Sequence, residues 1–284
     1  MGFGQHFFDS GAFTLEKAAR KWSQETGNSK WDYFELPEAF EFLDAYVAFV
    51  KGHQEGLDHY ANVDAIGNPE ITYRNQLYLE ARGLAPVPVV HFGTDVKWLK
   101  LYVERGHDYI ALGGLVGKTG RKSSRLWIDK CFDCVCDSDG LPLIKLHGFG
   151  VTSFSLMRLY PWYSVDSTSW IRSASFGNVY LPKRLGGEWD FTRNPWIITV
   201  SDESKGPRKG DYHISTATKS VRTLVSSWLD HVGTTIEQVT SKRGFRFRTL
   251  ANVRYFREFA KNVPAWPWKW GAHRQSLTAS RFGV

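Results

Sequence analysis

Six short apolar runs, each stopping on a carboxylate, a histidine or a glycine pair, limit what this chain can fold into more than any other feature. His6-Phe7-Phe8 stops at Asp9, Tyr60-Ala61-Asn62-Val63 at Asp64, and Pro88-Val89-Val90 at His91. Tyr109-Ile110-Ala111-Leu112 stops at Gly113-Gly114, Leu143-Ile144-Lys145-Leu146 at His147, and Tyr163-Ser164-Val165 at Asp166. Buried parallel strands read as short apolar runs, and in a (β/α) barrel their C-terminal ends converge on one mouth. Three carboxylates, two histidines and a glycine pair at such ends form a candidate active site spread over six strands.

Between the runs the period changes. Leu15, Ala18, Ala19 and Trp22 predict a helix over 15–25, and Phe40, Leu43, Val47 and Val50 predict a second over 36–51, opened by Pro37. A strand is predicted at 57–64, then Gly67-Asn68-Pro69 opens a helix that stops at Gly83. Strand, helix, strand repeats at 87–91, 96–104 and 109–112, followed by a helix over 123–136, a turn at Asp137-Ser138-Asp139-Gly140, a strand at 143–147 and a short helix at 153–159. An eighth strand is expected at 195–200. This alternation predicts an α/β chain, a (β/α)8 TIM-type barrel over about 3–212 with a helical C-terminal extension over about 213–284. Residues 1–284 are expected to form a single domain. Helices are predicted at 218–230 and 247–262, while the Trp-rich tail from Ala265 shows no period.

A hydrophobic share of 42% with 12 Trp and 19 Phe supplies a sizeable core. No apolar run is long enough to span a bilayer, and the N-terminal segment lacks a basic start followed by a signal-type apolar stretch. The expectation is a soluble, cytoplasmic protein with no membrane partner. Cys131, Cys134 and Cys136 are too few and too clustered for a disulfide framework. On a helix the first two share a face and the third points away, so they read as thiols rather than a zinc site; no metal and no cofactor is expected.

Net charge is +7, which suits a polyanionic partner and equally suits plain solubility. Basic residues gather at Arg121-Lys122-Ser123-Ser124-Arg125, at 205–209, and at Lys242-Arg243-Gly244-Phe245-Arg246-Phe247-Arg248. The alternation in the last segment reads first as a strand with one solvated face, and second as a surface for phosphates and bases.

Asp9 and Asp166 supply two carboxylates, the minimal apparatus for breaking a glycosidic bond. Either alone could instead be a helix N-cap. Their surroundings carry a resemblance. Asp9-Ser10-Gly11-Ala12-Phe13 resembles the Asp-Ser-Gly-Gly-aromatic motif of the tRNA-guanine transglycosylase family, and Ala111-Leu112-Gly113-Gly114-Leu115 its Ala-Leu-Gly-Gly-Leu stretch. Val165-Asp166-Ser167-Thr168-Ser169-Trp170-Ile171-Arg172, with Ala174-Ser175-Phe176-Gly177, is similar to the segment holding its nucleophilic Asp and its Arg. Weaker echoes lie at Asn62-Val63-Asp64, Val90-His91-Phe92-Gly93, His147-Gly148-Phe149-Gly150 and Asn252-Val253-Arg254-Tyr255-Phe256, in family order over about residues 6–260.

The resemblance implies base exchange in a polynucleotide. Asp166 would attack C1′ of a guanosine and expel guanine, and a 7-deazaguanine would then take the glycosyl group with retention. Asp9 would be the general acid/base and Asp64 would bind the Watson–Crick edge. Gly113 and Gly114 would let backbone approach the base, and Phe13 and His147 would flank it. His91 stands where the family has a base-reading Gln. Lys118, Arg121, Lys122, Arg125 and Arg172 would hold phosphates beside an unstacked nucleotide. The family's tRNA enzymes carry a Cys-rich zinc subdomain after the barrel, and 181–232 here contains no Cys. That absence places the resemblance closest to the phage and bacterial DNA-guanine transglycosylase branch, with DNA and a free base such as 7-cyano-7-deazaguanine as partners. The compartment would then be the cytoplasm of a bacterial host. The same exchange on tRNA, a non-catalytic nucleic-acid-binding barrel and a glycoside hydrolase using the same two carboxylates stand as alternatives.

Overall fold

The computed structural model describes residues 6–117, 122–204 and 210–271. Contacts divide the chain into two compact units. One is built from Met1–Val151, Tyr160–Asp166 and Pro267–Val284, the other from Thr152–Leu159 and Ser167–Trp266. The helical C-terminal part thus groups with segments reaching back to Ser167, not with a boundary near 212.

The first unit follows the predicted alternation: β1 (Phe7–Phe8), α1 (Ala12–Thr26), α2 (Pro37–Gly52), β2 (His59–Tyr60), α3 (Pro69–Glu80), β3 (Val89–His91), α4 (Lys97–Glu104), β4 (Tyr109–Gly113), α5 (Lys122–Val135) and β5 (Lys145–Gly148). After α6 (Phe154–Leu159), which belongs to the second unit, β6 (Ser164–Val165) completes it. β1 pairs with β2, and β3, β4, β5 and β6 form a four-stranded sheet in that order, every pairing parallel. A parallel bridge from Ala61 to Val87 links the two sets. Six strands in chain order therefore carry their C-terminal ends to one edge.

Pro37 opens α2 and Pro69 opens α3, where the Asn68 side chain accepts from the Ile71 N–H at 3.0 Å. Leu15 from α1, Leu43, Val47 and Val50 from α2 and Leu79 from α3 close over Val63 and Ala65. The sheet buries Ala61, Val87, Val89, Tyr109 and Ala111, with Phe7, Phe149 and Tyr163 packed against them. The strand expected over 57–64 pairs with β1 over two residues, and the Ala61 bridge and the Asn62 N–H, donating to the Val87 carbonyl at 2.9 Å, tie it to the chain before β3. Beyond Asn62 the chain turns to α3: Asn62 Nδ2 donates to the Thr72 carbonyl at 2.9 Å, and Asn75 Nδ2 donates to the Val63 carbonyl at 2.8 Å.

In the second unit, α7 (Ser169–Ser175) leads into β7 (Asn178–Leu181), a hairpin of β8 (Lys183–Leu185) and β9 (Glu188–Asp190), β10 (Trp196–Thr199), α8 (Lys219–His231), α9 (Ile236–Thr240) and α10 (Phe245–Lys261). The strand expected at 195–200 exists as β10, but it pairs antiparallel with β7 and extends no parallel series. The basic segment 242–248 is no strand either. From Phe245 it is the first turn of α10, and the Arg248 guanidinium is buried, donating from Nη1 to the Val239 carbonyl at 2.6 Å and from Nε to the Ala174 carbonyl at 2.9 Å. Helical hydrogen bonding that continues to Lys261 overrides a period-two pattern only four residues long.

The tail also has a place. The Trp270 ring stacks on Tyr160 at 4.8 Å, and its Nε1 donates to Asp133 at 2.8 Å. Gly140, at φ 81°, lies against the Trp270 backbone, where any Cβ would collide with its carbonyl. No helix among the described residues is long and apolar enough to cross a membrane.

Candidate active site

Asp9 follows β1 directly and Asp166 follows β6 directly, which sets both carboxylates on the C-terminal edge. Asp64 lies on the Asn62–Ala65 segment that α3 pins. Asp9 lies within electrostatic reach of both other acids. Burial raises the Asp9 carboxyl above the usual range, and the Asp64 charge raises it further, against backbone hydrogen bonds from Gly11 and Ser10. Burial also raises Asp166; the Gly150 N–H opposes that and the Asp9 charge adds to it. Two acids 157 positions apart in sequence (166 − 9) thus share one electrostatic site.

Asp166 is half exposed, and its Oδ1 accepts from the Gly150 N–H at 2.5 Å. Gly150 sits at φ 64° in the turn after β5, with Val116 filling the space where a Cβ would go. That left-handed turn is what aims the N–H at the carboxylate. Sequence reasoning noted the His147–Gly150 echo but gave Gly150 no role.

His91 and Asp64 were each expected to contact a base. In the structure they contact each other: His91 Nε2 lies 2.6 Å from Asp64 Oδ2, both side chains nearly buried. His91 therefore fixes Asp64 and leaves Oδ1 as the carboxylate's uncommitted oxygen. A Cβ at Gly113 would stand 3.1 Å from the His91 ring, so the glycine there seats the imidazole against β4. Gly114 follows with φ 71°.

His147 was expected to stack opposite Phe13 on a purine. Its ring is buried, one face stacks on Phe7 at 4.4 Å and 12°, and the Phe149 edge abuts it at 4.5 Å. No open face remains for sandwiching a base. Nδ1 lies 2.7 Å from Ser164 Oγ, whereas Nε2, 3.9 Å from Asp166 Oδ1, has no hydrogen-bond partner among the described residues. Burial, with the nearby His59 charge, pushes its pKa down to about 3, so the imidazole is neutral at pH 7. Phe13 is 62% exposed in the first turn of α1, with Lys17 Nζ 4.6 Å above its ring.

Lys122 and Arg125 are exposed one turn apart at the start of α5. Lys118 and Arg121 lie outside the described residues. Arg172 is exposed on α7 of the second unit, its guanidinium 6.0 Å from the Phe176 ring. Burial holds Cys131 and Cys134 as thiols and pushes Cys136 up to about 12, and all three are free. Among the described residues no group of three or more His, Cys, Asp or Glu is disposed to hold a metal ion.

A cavity of about 510 Å³ opens at the other edge, at the starts of β2, β3, β4 and β5. Its Glu80 is already engaged by Arg105 at 2.5 Å and His107 at 3.3 Å. No family model matches the chain, and no curated protein or solved structure matches it either.

Proposed function

We propose that this protein is a DNA-guanine transglycosylase, exchanging guanine in DNA for a free 7-deazaguanine through a covalent aspartyl-glycosyl intermediate. The observation that carries this reading is the placement of Asp9 and Asp166 at the C-terminal ends of β1 and β6, with Asp9 within electrostatic reach of both Asp166 and Asp64. The resemblance in chain order supplies the substrate class, and the absence of cysteine over 181–232 favours DNA over tRNA. The six parallel strands are read as the main arc of a (β/α)8 barrel acting in the cytoplasm of a bacterial host.

Asp166 is the nucleophile. Its Oδ1 is occupied by the Gly150 N–H, leaving Oδ2 to attack C1′. As that bond forms, C1′–N9 breaks and the electron pair leaves with guanine, which takes a proton from Asp9. Asp9 suits the acid role because burial and the Asp64 charge both favour its protonated form. In the second displacement Asp9 takes the N9 proton of the incoming base, N9 bonds to C1′, and the Asp166 ester is released. Atoms balance without a cofactor. The uncommitted Asp64 oxygen accepts from purine N–H donors, and Phe13 offers an exposed aromatic face for stacking. Lys122 and Arg125 are exposed cations suited to the flanking phosphates.

The test is guanine exchange into DNA and into tRNA, together with trapping of the protein–nucleic acid adduct. Exchange into DNA and an adduct abolished by Asp166→Asn are expected, with a rate loss of at least about 10⁴-fold. Exchange confined to tRNA would select the second substrate, and exchange with neither would end the reading.

A further inference from the structure

The buried Nε2 of His147 has no hydrogen-bond partner among the described residues and lies 3.9 Å from Oδ1 of Asp166, so its protonation decides how it acts on that oxygen. Ser164 Oγ owns one proton and stands between two groups, the Tyr109 hydroxyl at 2.6 Å and His147 Nδ1 at 2.7 Å. Three arrangements satisfy both contacts. In the first, Tyr109 donates to Ser164 and Ser164 donates to Nδ1, which leaves the imidazole proton on Nε2. In the other two Nδ1–H donates to Ser164, which either donates to Tyr109 or accepts from Tyr109 as well. Either of these strands a hydroxyl proton, that of Tyr109 or that of Ser164, and turns a bare Nε2 lone pair toward a carboxylate oxygen 3.9 Å away. Both consequences cost free energy, and the first arrangement avoids them.

The side chains come from three adjacent strands, β4, β5 and β6, with His147 directly opposite Ser164 in the sheet register. Phe7 and Phe149 hold the ring on its other sides.

We propose that Tyr109, Ser164 and His147 form a relay that presents a neutral Nε2–H donor to Oδ1 of Asp166, making all three positioning residues for that carboxylate. The inference rests on Asp166 being the nucleophile. The Gly150 N–H then bonds Oδ1 at 2.5 Å, while the His147 Nε2–H, at 3.9 Å, acts on it as an oriented dipole rather than through a hydrogen bond, and Oδ2 is left for C1′. In the ester Oδ1 is the carbonyl oxygen. When C1′–Oδ2 breaks in the second displacement, negative charge returns to the carboxylate and both donors stabilise it. A neutral donor does this without the standing ion pair that would quench the nucleophile.

The tautomer can be observed directly by two-bond ¹H–¹⁵N correlation of histidine-labelled protein. The wild type is expected to show His147 as Nε2–H, and Ser164→Ala to shift it toward a mixture. Tyr109→Phe, which removes only a hydroxyl, and Ser164→Ala should each lower kcat for guanine exchange by about 10-fold at unchanged KM. Because one chain is broken in both, the double variant should be no slower than Ser164→Ala alone. A wild-type Nδ1–H tautomer overturns the relay. So do unaltered rates in both variants when Asp166→Asn is dead, or losses that multiply in the double variant. If no polymer exchanges guanine at all, the transglycosylase reading fails by itself, and the tautomer alone upholds or overturns the relay.

Discussion

Asp9 and Asp166 are the same residue type on the same edge, and their neighbours separate them. For Asp166 the largest influence after burial is the Gly150 N–H, which favours the ionised form; for Asp9 it is the Asp64 charge, which favours the protonated one. Beyond burial the neighbours thus push the two acids in opposite senses, as an acid and a nucleophile require. The pH profile of exchange should be bell-shaped, rising as Asp166 ionises and falling as Asp9 loses its proton. Asp64→Asn removes a like charge beside Asp9, lowers its pKa and so makes it lose the proton earlier as pH rises. The alkaline limb should move to lower pH, without reaching the ordinary carboxylate range, because burial still raises the group. Exchange rates measured across pH in both proteins check this. An alkaline limb that stays in place would deny Asp9 the acid role.

Asn252 plays its part between elements. From α10 its Oδ1 accepts from the Tyr180 N–H at 2.9 Å, and its Nδ2 donates to the carbonyls of Trp170 at 3.0 Å and Asn178 at 3.2 Å, tying α7 and β7 to one fully buried side chain. Asn252→Ala leaves a buried N–H and two carbonyls unpaired, so the second unit should lose about 2–4 kcal/mol in denaturant unfolding. A loss below about 1 kcal/mol would mean that water replaces the amide. The motif around Asn252 was visible in the sequence, but its hydrogen bonds were not. The same division runs through the site. The helices and strand ends of the first unit were legible because apolar period, Pro37, the Asn68 cap and stop signals all agree there. Asp9, Asp64 and Asp166 stood out because polar residues end apolar runs. Gly150, Ser164, Tyr109 and Phe7 gave no such sign. Their roles depend on cross-strand neighbours, and one sequence does not record register. His91 and His147 were recognisable as candidates, yet only coordinates could show that each lies beside a carboxylate.

For the molecule as a whole, the parallel series and its helices were foreseeable, while the antiparallel pairing of β7 with β10 was not, since four apolar-rich residues look alike in either direction. The +7 charge likewise admitted two meanings, a partner or mere solubility. The structure narrows the question to particular cations. Arg248, within the most basic run, is buried and satisfied by backbone carbonyls, so it offers nothing to a phosphate. Lys122 and Arg125 are exposed on one helix face. If they meet the backbone of an unstacked strand, each contact releases a counterion and contributes about 0.7 to the slope of log affinity against log salt. Lys122→Ala and Arg125→Ala should each weaken binding of guanine-containing single-stranded DNA and flatten that slope by about 0.7, with little dependence on base sequence. Fluorescence anisotropy across a salt series measures both effects. Equal slopes in wild type and both variants would assign these two cations to solubility alone.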